Sequence, residues 1–127
     1  MTCLFCTSLE PILETDFFVA VFDIDPIQQG HILVTTKRHV KHWNDLTAVE
    51  ELEFLSIQKK LITVIETTLR CDGVTVLLNN GRIMDEGTHL HIHFVPRYTN
   101  DDFWEYQKVP QIQANKEKLK ERIKGAF

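Results

Sequence analysis

The 127-residue sequence has only three cysteines, five glycines and four prolines. So little cysteine excludes a disulfide-built scaffold, and so little glycine excludes a collagen-like chain. Hydrophobic residues make up 43% and charged residues 25%, so the chain can bury a core and is not a disordered segment. No apolar run approaches the roughly 20 residues needed to span a bilayer. The first ten residues, MTCLFCTSLE, lack both the basic stretch and the long apolar stretch of a secretory leader. A cytoplasmic protein with no membrane partner is the expectation. The length fits one domain over residues 1–127, and no repeat, low-complexity tract or linker divides it.

Positive charge is scarce as well. Fourteen Lys and Arg stand against eighteen Asp and Glu, a formal net charge of −4. Residues 116–124 (KEKLKERIK) hold five basic and two acidic groups, so the rest of the chain has nine basic against sixteen acidic, net −7. A body that acidic lacks the broad field that holds a nucleic-acid backbone, and no nucleic-acid partner is expected. Any phosphate-bearing ligand must be small and held by local donors.

What the sequence does have is six histidines in two windows: His31, His39 and His42, then His89, His91 and His93. Between and around them the elements are legible. Pro11–Ile24 is rich in β-branched and aromatic residues and reads as a hairpin turning at Glu14-Thr15-Asp16. His31–Thr36 reads as a strand after the Asp25-Pro26 and Gly30 breaks. Thr47-Ala48-Val49-Glu50 fits a capping box, and Leu52, Leu55, Ile62, Ile65 and Leu69 follow at helical spacing, a long helix ending before Gly73. Val74–Leu78 and Thr88–Val95 read as strands, the second stopped by Pro96, with Asn79-Asn80-Gly81 as a turn. A terminal helix is predicted over Gln111–Lys124, with Gly125 as its stop. The expected class is α+β, a mainly antiparallel sheet with one long central helix and a C-terminal helix.

His89-Leu90-His91-Ile92-His93 alternates with period two, which puts three imidazoles on one face of a strand and the apolar residues on the other. Successive imidazoles then sit about 7 Å apart at their Cα atoms. Such a row suits metal ligation, and it equally suits neutral imidazoles acting as nucleophile and proton donor. Cys3 and Cys6 form a C-x-x-C pair, which is redox-active, zinc-binding or incidental; a tetrahedral zinc needs two more N or S ligands. Cys71 reads as a small buried hydrophobe.

Six segments in order resemble the histidine triad (HIT) family of nucleotide hydrolases and transferases, specifically its bacterial type with an N-terminal C-x-x-C. They are Cys3-Leu-Phe-Cys6, Asp23-Ile24-Asp25-Pro26, Gly30-His31-Ile32-Leu33-Val34, Lys37-Arg38-His39-Val40, Asn79-Asn80-Gly81, and His89 to His93 with Phe94-Val95-Pro96-Arg97-Tyr98. The likeness covers about residues 3–103, leaving 104–127 as a C-terminal extension. The resemblance implies a HIT-like fold and attack by His91 on the α-phosphorus of a purine nucleotide, through a covalent nucleotidyl-histidine that water hydrolyses. It implies that His93 and His31 contact phosphate or assist proton transfer, that Asn79 contacts phosphate, that Asp23 accepts the ribose hydroxyls and that Ile24 touches the base. It implies one structural zinc per chain on Cys3, Cys6, His39 and His89, and a homodimer. Structural roles compete for two of these residues: capping or pairing within the sheet for His31, turn formation for Asn79.

One segment departs from the family pattern. Arg82–Thr88 is one residue shorter, and Glu86 falls near the usual Gln, where a carboxylate would repel phosphate; Thr88 is the substitute donor. Substrates of the resemblance are dinucleoside polyphosphates such as diadenosine tetraphosphate, or nucleoside phosphoramidates. The alternative is a nucleotide-binding regulatory module with little turnover. A third reading makes His89, His91 and His93 a catalytic metal face.

Overall fold

The computed structural model describes residues 3–6 and 10–127. Five strands form one antiparallel sheet: β1 (Leu13–Glu14), β2 (Phe18–Phe22), β3 (Ile32–Thr36), β4 (Gly73–Leu78) and β5 (His91–Arg97), in the order β1-β2-β3-β5-β4. The long helix α1 spans Ala48–Leu69, and α2 spans Lys116–Ala126. Short 3-10 turns occur at Leu4–Cys6, Trp43–Asp45 and Phe103–Tyr106. The hairpin forms where its residues predict it. Its turn is pinned to α1, because Glu53 accepts from the Thr15 hydroxyl and from the Phe17 N–H, both at 2.8 Å.

Period two divides the sheet into two faces. Phe18 and Ala20 of β2, Ile32 and Val34 of β3, and Ile92 and Phe94 of β5 pack with Phe54, Ile57 and Ile65 of α1 to make the main core. The intervening residues face the other way: Val21, Leu33, His91 and His93 belong to the surface that α1 leaves free. There Phe5 packs on Val21 and Leu33. The composition of the face free of α1 is thus set by alternation along the strands.

Three elements differ from their sequence-based reading. The last strand begins at His91 rather than Thr88 and runs through Pro96 to Arg97. Before it, the Leu90 N–H bonds to the Val40 carbonyl and the Leu90 carbonyl accepts from the Thr35 hydroxyl, so this stretch satisfies its backbone without a ladder. Pro96 is tolerated because the pairing with β3 ends at Ile32 opposite Phe94, leaving only β4 beside it. The terminal helix starts at Lys116, after Asn115 accepts from the Lys118 N–H at 3.0 Å, and Gly125 lies inside its last turn. A side-chain cap at Asn115 defines a better start than Gln111, which offers none.

The third difference is the inward face of α1. Leu52 and Leu55 are exposed, at 67% and 51%, while Phe54, Ile57 and Ile65 are buried. At 100° per residue, Leu52 sits about 200° from Phe54, as Leu55 does from Ile57. This helix carries apolar residues on two opposite faces.

The capping box on Thr47 and Glu50 is present in full. Glu50 also receives two guanidinium bonds from Arg38, at 3.0 and 2.8 Å, although its side chain is almost wholly buried. The Arg38 bonds, together with those from Thr47, outweigh burial and hold its carboxyl down at about 2. A depressed carboxylate stabilises the fold above its unfolded value and loses that contribution as pH falls through the folded one. Glu50→Ala is therefore expected to cost about 2 kcal/mol at pH 7, from lost cap and half-exposed ion pair. Urea unfolding at pH 7 and at pH 2 checks this, the difference shrinking at the lower pH.

Candidate functional site

The face free of α1 holds a cleft of about 540 Å³ lined by His91, His93, Asp23, Ile24, Thr88 and Asp85, with Leu4, Phe5, Glu10, Val21, Phe22 and Leu33. Two turns aim the polar groups into it. At the β2–β3 connection Gly30 takes φ +91°, a conformation that side-chain-bearing residues rarely adopt, and a Cβ there would also press on Leu69 Cδ1 at 2.8 Å, so glycine suits the turn that leads into His31. Asp23 is fixed by its own turn, its Oδ1 accepting from the Asp25 N–H at 2.9 Å.

Hydrogen bonds fix the imidazole protons. The Nδ1 of His31 accepts from the Ile27 N–H at 3.0 Å, so neutral His31 carries its proton on Nε2. That N–H points at His93 Nδ1, 2.9 Å away, with Asp23 Oδ2 at 3.5 Å. His93 then keeps its own proton on Nε2. Burial lowers the pKa of His31, against the pull of Asp23. Burial, then His91 and His31, push His93 down to about 4, with Asp23 and Asp85 opposing. Both rings are neutral donors near neutral pH. His91 is oriented differently: its Nδ1–H donates to the His89 carbonyl at 2.8 Å. Its Nε2 lone pair has no partner among the described residues, although the ring is only 5% exposed. An unpaired imidazole nitrogen open to a cleft, on a ring otherwise buried, is the form a nucleophile needs.

Cys3, Cys6, His39 and His89 come together at the edge of this site, their ligand atoms all within 4.8 Å of one another. Cys3 Sγ lies 3.2 Å from His89 Nδ1, and Cys6 Sγ lies 3.1 Å from His39 Nδ1 and 3.4 Å from His89 Nδ1. A tetrahedral zinc with ordinary Zn–S and Zn–N bonds has S···N edges of about 3.5 Å, and these three S···N separations fall slightly inside that length, so the donor set fits such an ion. The second shell fits too. The Nε2–H of His89 donates to the Thr36 carbonyl at 2.7 Å, which leaves Nδ1 bare toward the sulfurs. The same segment places Phe5 against the His91 ring at a centroid distance of 4.9 Å.

Asp23, His31 and His93 also gather as a metal-sized group. A metal on His31 Nε2 would require the proton on Nδ1, opposing the Ile27 N–H that already points there. This group is a hydrogen-bond chain and not a ligand set. No metal-sized group among the described residues contains His91, so the reading of His89, His91 and His93 as one metal face does not hold. Just before the strand His89 turns to the sulfurs, while His91 and His93 on it face the cleft.

The remaining sequence candidates divide. Ile24 lies at the cleft mouth, almost fully exposed. Thr88 lines the cleft, but its hydroxyl donates to the Asp85 carbonyl at 2.6 Å. Asn79 is exposed and does not line the cleft; continuing the β4–β5 register by one residue from Leu78 opposite Ile92 sets it beside His91. Glu86 is turned away, lining a separate depression with Cys3, His39 and Lys41. The carboxylate facing the cleft from this segment is Asp85, which the sequence did not single out. Phe5 and Glu10 were equally unsignalled. His42 ties two loops together, its Nδ1 accepting from the Asn44 N–H and its Nε2 contacting the Asn80 amide at 2.8 Å.

Comparison with known proteins finds relatives of one family. The HIT domain model matches residues 9–100. An uncharacterized HIT-like protein of Methanocaldococcus jannaschii is 32% identical over 97% of this chain and 99% of its own. A bis(5'-adenosyl)-triphosphatase of Dictyostelium discoideum is 29% identical over 93% and 85%. An adenosine 5'-monophosphoramidase of Saccharomyces cerevisiae is 29% identical over 75% and 62%. Among solved structures, a HIT-family member from Bacillus subtilis superposes with TM-score 0.78 at 22% identity, covering 100% of this chain and 98% of that one. A zinc-bound histidine triad protein from Mycobacterium smegmatis does so with TM-score 0.69 at 26% identity, covering 86% and 84%.

Proposed function

The chain belongs to the HIT domain family, and on that premise we propose that it is a nucleotide hydrolase or nucleotidyl transferase acting at the α-phosphorus of a purine nucleotide. The observation that carries the reading is the unpaired Nε2 of buried His91, held toward the cleft by the bond from Nδ1 to the His89 carbonyl. The Nε2 lone pair bonds to phosphorus, and the bond to the leaving group breaks. The leaving oxygen or nitrogen keeps the electron pair and takes a proton from water. A water oxygen then bonds to phosphorus, the P–N electron pair returns to His91, and one water proton goes to solvent.

The other cleft residues orient the substrate. His93 offers its Nε2–H to a phosphate oxygen, because His31 occupies its Nδ1. Asp23 accepts the ribose hydroxyls, Ile24 covers the base and Thr88 flanks the phosphate end, while Asn79, outside the cleft lining, would reach the phosphate only from its place beside His91 in the strand register. Zinc on Cys3, Cys6, His39 and His89 is structural, with all four positions filled by protein. It would clamp the N-terminal segment and, through Phe5, support the His91 ring.

Incubation with diadenosine tetraphosphate and adenosine phosphoramidates tests the reading. Release of AMP that depends on His91 is expected. Tight nucleotide binding without release would indicate the regulatory module instead.

A homodimer belongs to the same proposal. Val49, Leu52 and Leu55 on the outer face of α1, and Val76 and Leu78 on edge strand β4, are apolar and uncovered in one chain. Sedimentation equilibrium at micromolar concentration is expected to give about twice 14.8 kDa. Leu52→Glu is expected to shift the mass toward one chain by placing charge in the contact.

A further inference from the structure

The cleft has an unusual charge for a site meant to hold phosphates. Among the described residues that line it there is no lysine or arginine, but there are three carboxylates, Glu10, Asp23 and Asp85. Asp23 is committed to the Asp25 N–H and to His31. Asp85 accepts no hydrogen bond at its carboxylate from any described residue, and its charge reaches His93. The nearby ammonium of Lys41 is engaged by the Thr88 carbonyl at 2.8 Å and lines the neighbouring depression, not the cleft.

Position gives the carboxylate its meaning. Asp23 and His31 flank the His93 end of β5, since His31 precedes β3 just beyond the pairing of Ile32 with Phe94. Thr88 and Asp85 lie before the strand begins, past His91. With the nucleoside at Asp23 and Ile24 and the α-phosphorus at His91 Nε2, the leaving group extends toward Asp85. His91, 5% exposed and with Nε2 unpartnered among the described residues, lines the same cleft and is the point from which the leaving group would depart.

We propose that Asp85 makes the leaving-group end of this cleft selective for a cation, so that the preferred substrates are nucleoside phosphoramidates of amines carrying an ammonium group. Dinucleoside polyphosphates, whose leaving groups are polyanions, are disfavoured. The inference rests on the nucleotidyl-transfer reading and narrows it to one substrate class. The net reaction balances: the P–N bond breaks, a water oxygen joins phosphorus, and both water protons end on the departing amine, which leaves as an ammonium ion. The carboxylate attracts the distal ammonium before this step and takes no part in the bond changes.

Three compounds test it: the adenosine 5'-phosphoramidate of 1,6-diaminohexane, that of n-heptylamine as its neutral counterpart, and diadenosine tetraphosphate. At low ionic strength kcat/KM is expected to be about three- to fivefold higher for the cationic than the neutral phosphoramidate, the range of one partly exposed ion pair. The tetraphosphate is expected to be at least tenfold poorer than the cationic compound. Salt should compress these ratios. Asp85→Asn should bring the cationic-to-neutral ratio to about one, and Asp85→Lys should invert it; the exposed side chain makes both variants compatible with the fold. Equal kcat/KM for the three compounds, or a ratio that Asp85→Asn leaves intact, overturns charge selection while nucleotidyl transfer stands. No turnover of any compound and no label on His91 overturns the nucleotidyl reading and the selection together.

Discussion

His91→Ala is expected to lower the turnover of every nucleotide substrate at least a hundredfold, a loss of about 2.7 kcal/mol in transition-state stabilisation. Three neighbouring imidazoles survive the change, so a smaller effect would follow if the site worked only by binding and polarising phosphate. The size of the loss rests on tautomers. His31 and His93 are both bound so that they present N–H groups, and only His91 presents a lone pair to the cleft. Neither neighbour can take over the attack without giving up a bond that orders it. His93→Ala should therefore leave more activity than His91→Ala, because it removes one donor and keeps the nucleophile. Steady-state kinetics on both variants checks the order, with metal content as the control that each variant has folded.

Loss of the metal should have the second large effect. The purified full chain is expected to hold about one zinc per chain, to keep it in His91→Ala, and to lose most of it in Cys3→Ser. Chelation should lower the melting temperature by about 10 °C, which for a domain of this size corresponds to about 3 kcal/mol. The figure is well under the roughly 10–16 kcal/mol seen where zinc organises a whole small domain. Here the sheet and α1 already share a core remote from the cluster, and only the N-terminal segment depends on it. Activity should fall severalfold as well, since that segment carries Phe5 onto His91. Metal analysis with differential scanning fluorimetry reads both effects. Zinc retained in Cys3→Ser, or a melting temperature indifferent to chelation, would overturn the assignment.

Much of the site could be read from the sequence because period two is a strict code. Once His91 and His93 lie on a strand, Ile92 and Phe94 must face the helix and the imidazoles must face away. The capping box at Thr47 was legible for a similar reason, since its two bonds are local. The inner face of α1 was not. Leucines at 52 and 55 and aromatic or branched residues at 54 and 57 both have helical spacing, and the sheet beneath, not the helix itself, decides which face is covered. The charge lining the cleft was also hidden. In the irregular 82–88 segment no periodicity says which carboxylate turns inward, and the bonds at Asp85 and Thr88 place Glu86 outside and Asp85 within. Phe5 had no signal at all, because its role depends on where its flanking cysteines are anchored, Cys6 at residues 33 and 83 positions away and Cys3 at one 86 positions away.

The central claim is a covalent bond between phosphorus and one nitrogen. The direct measurement is to mix the protein with adenosine phosphoramidate labelled at phosphorus, stop the reaction within milliseconds in base, where phosphoramidates survive, and map the label by mass spectrometry. The account predicts AMP attached to His91 alone, in an amount that rises and decays with turnover and vanishes in His91→Ala. Label on His93 or His31, or product release at full rate in His91→Ala with no labelled protein at any time, would contradict it.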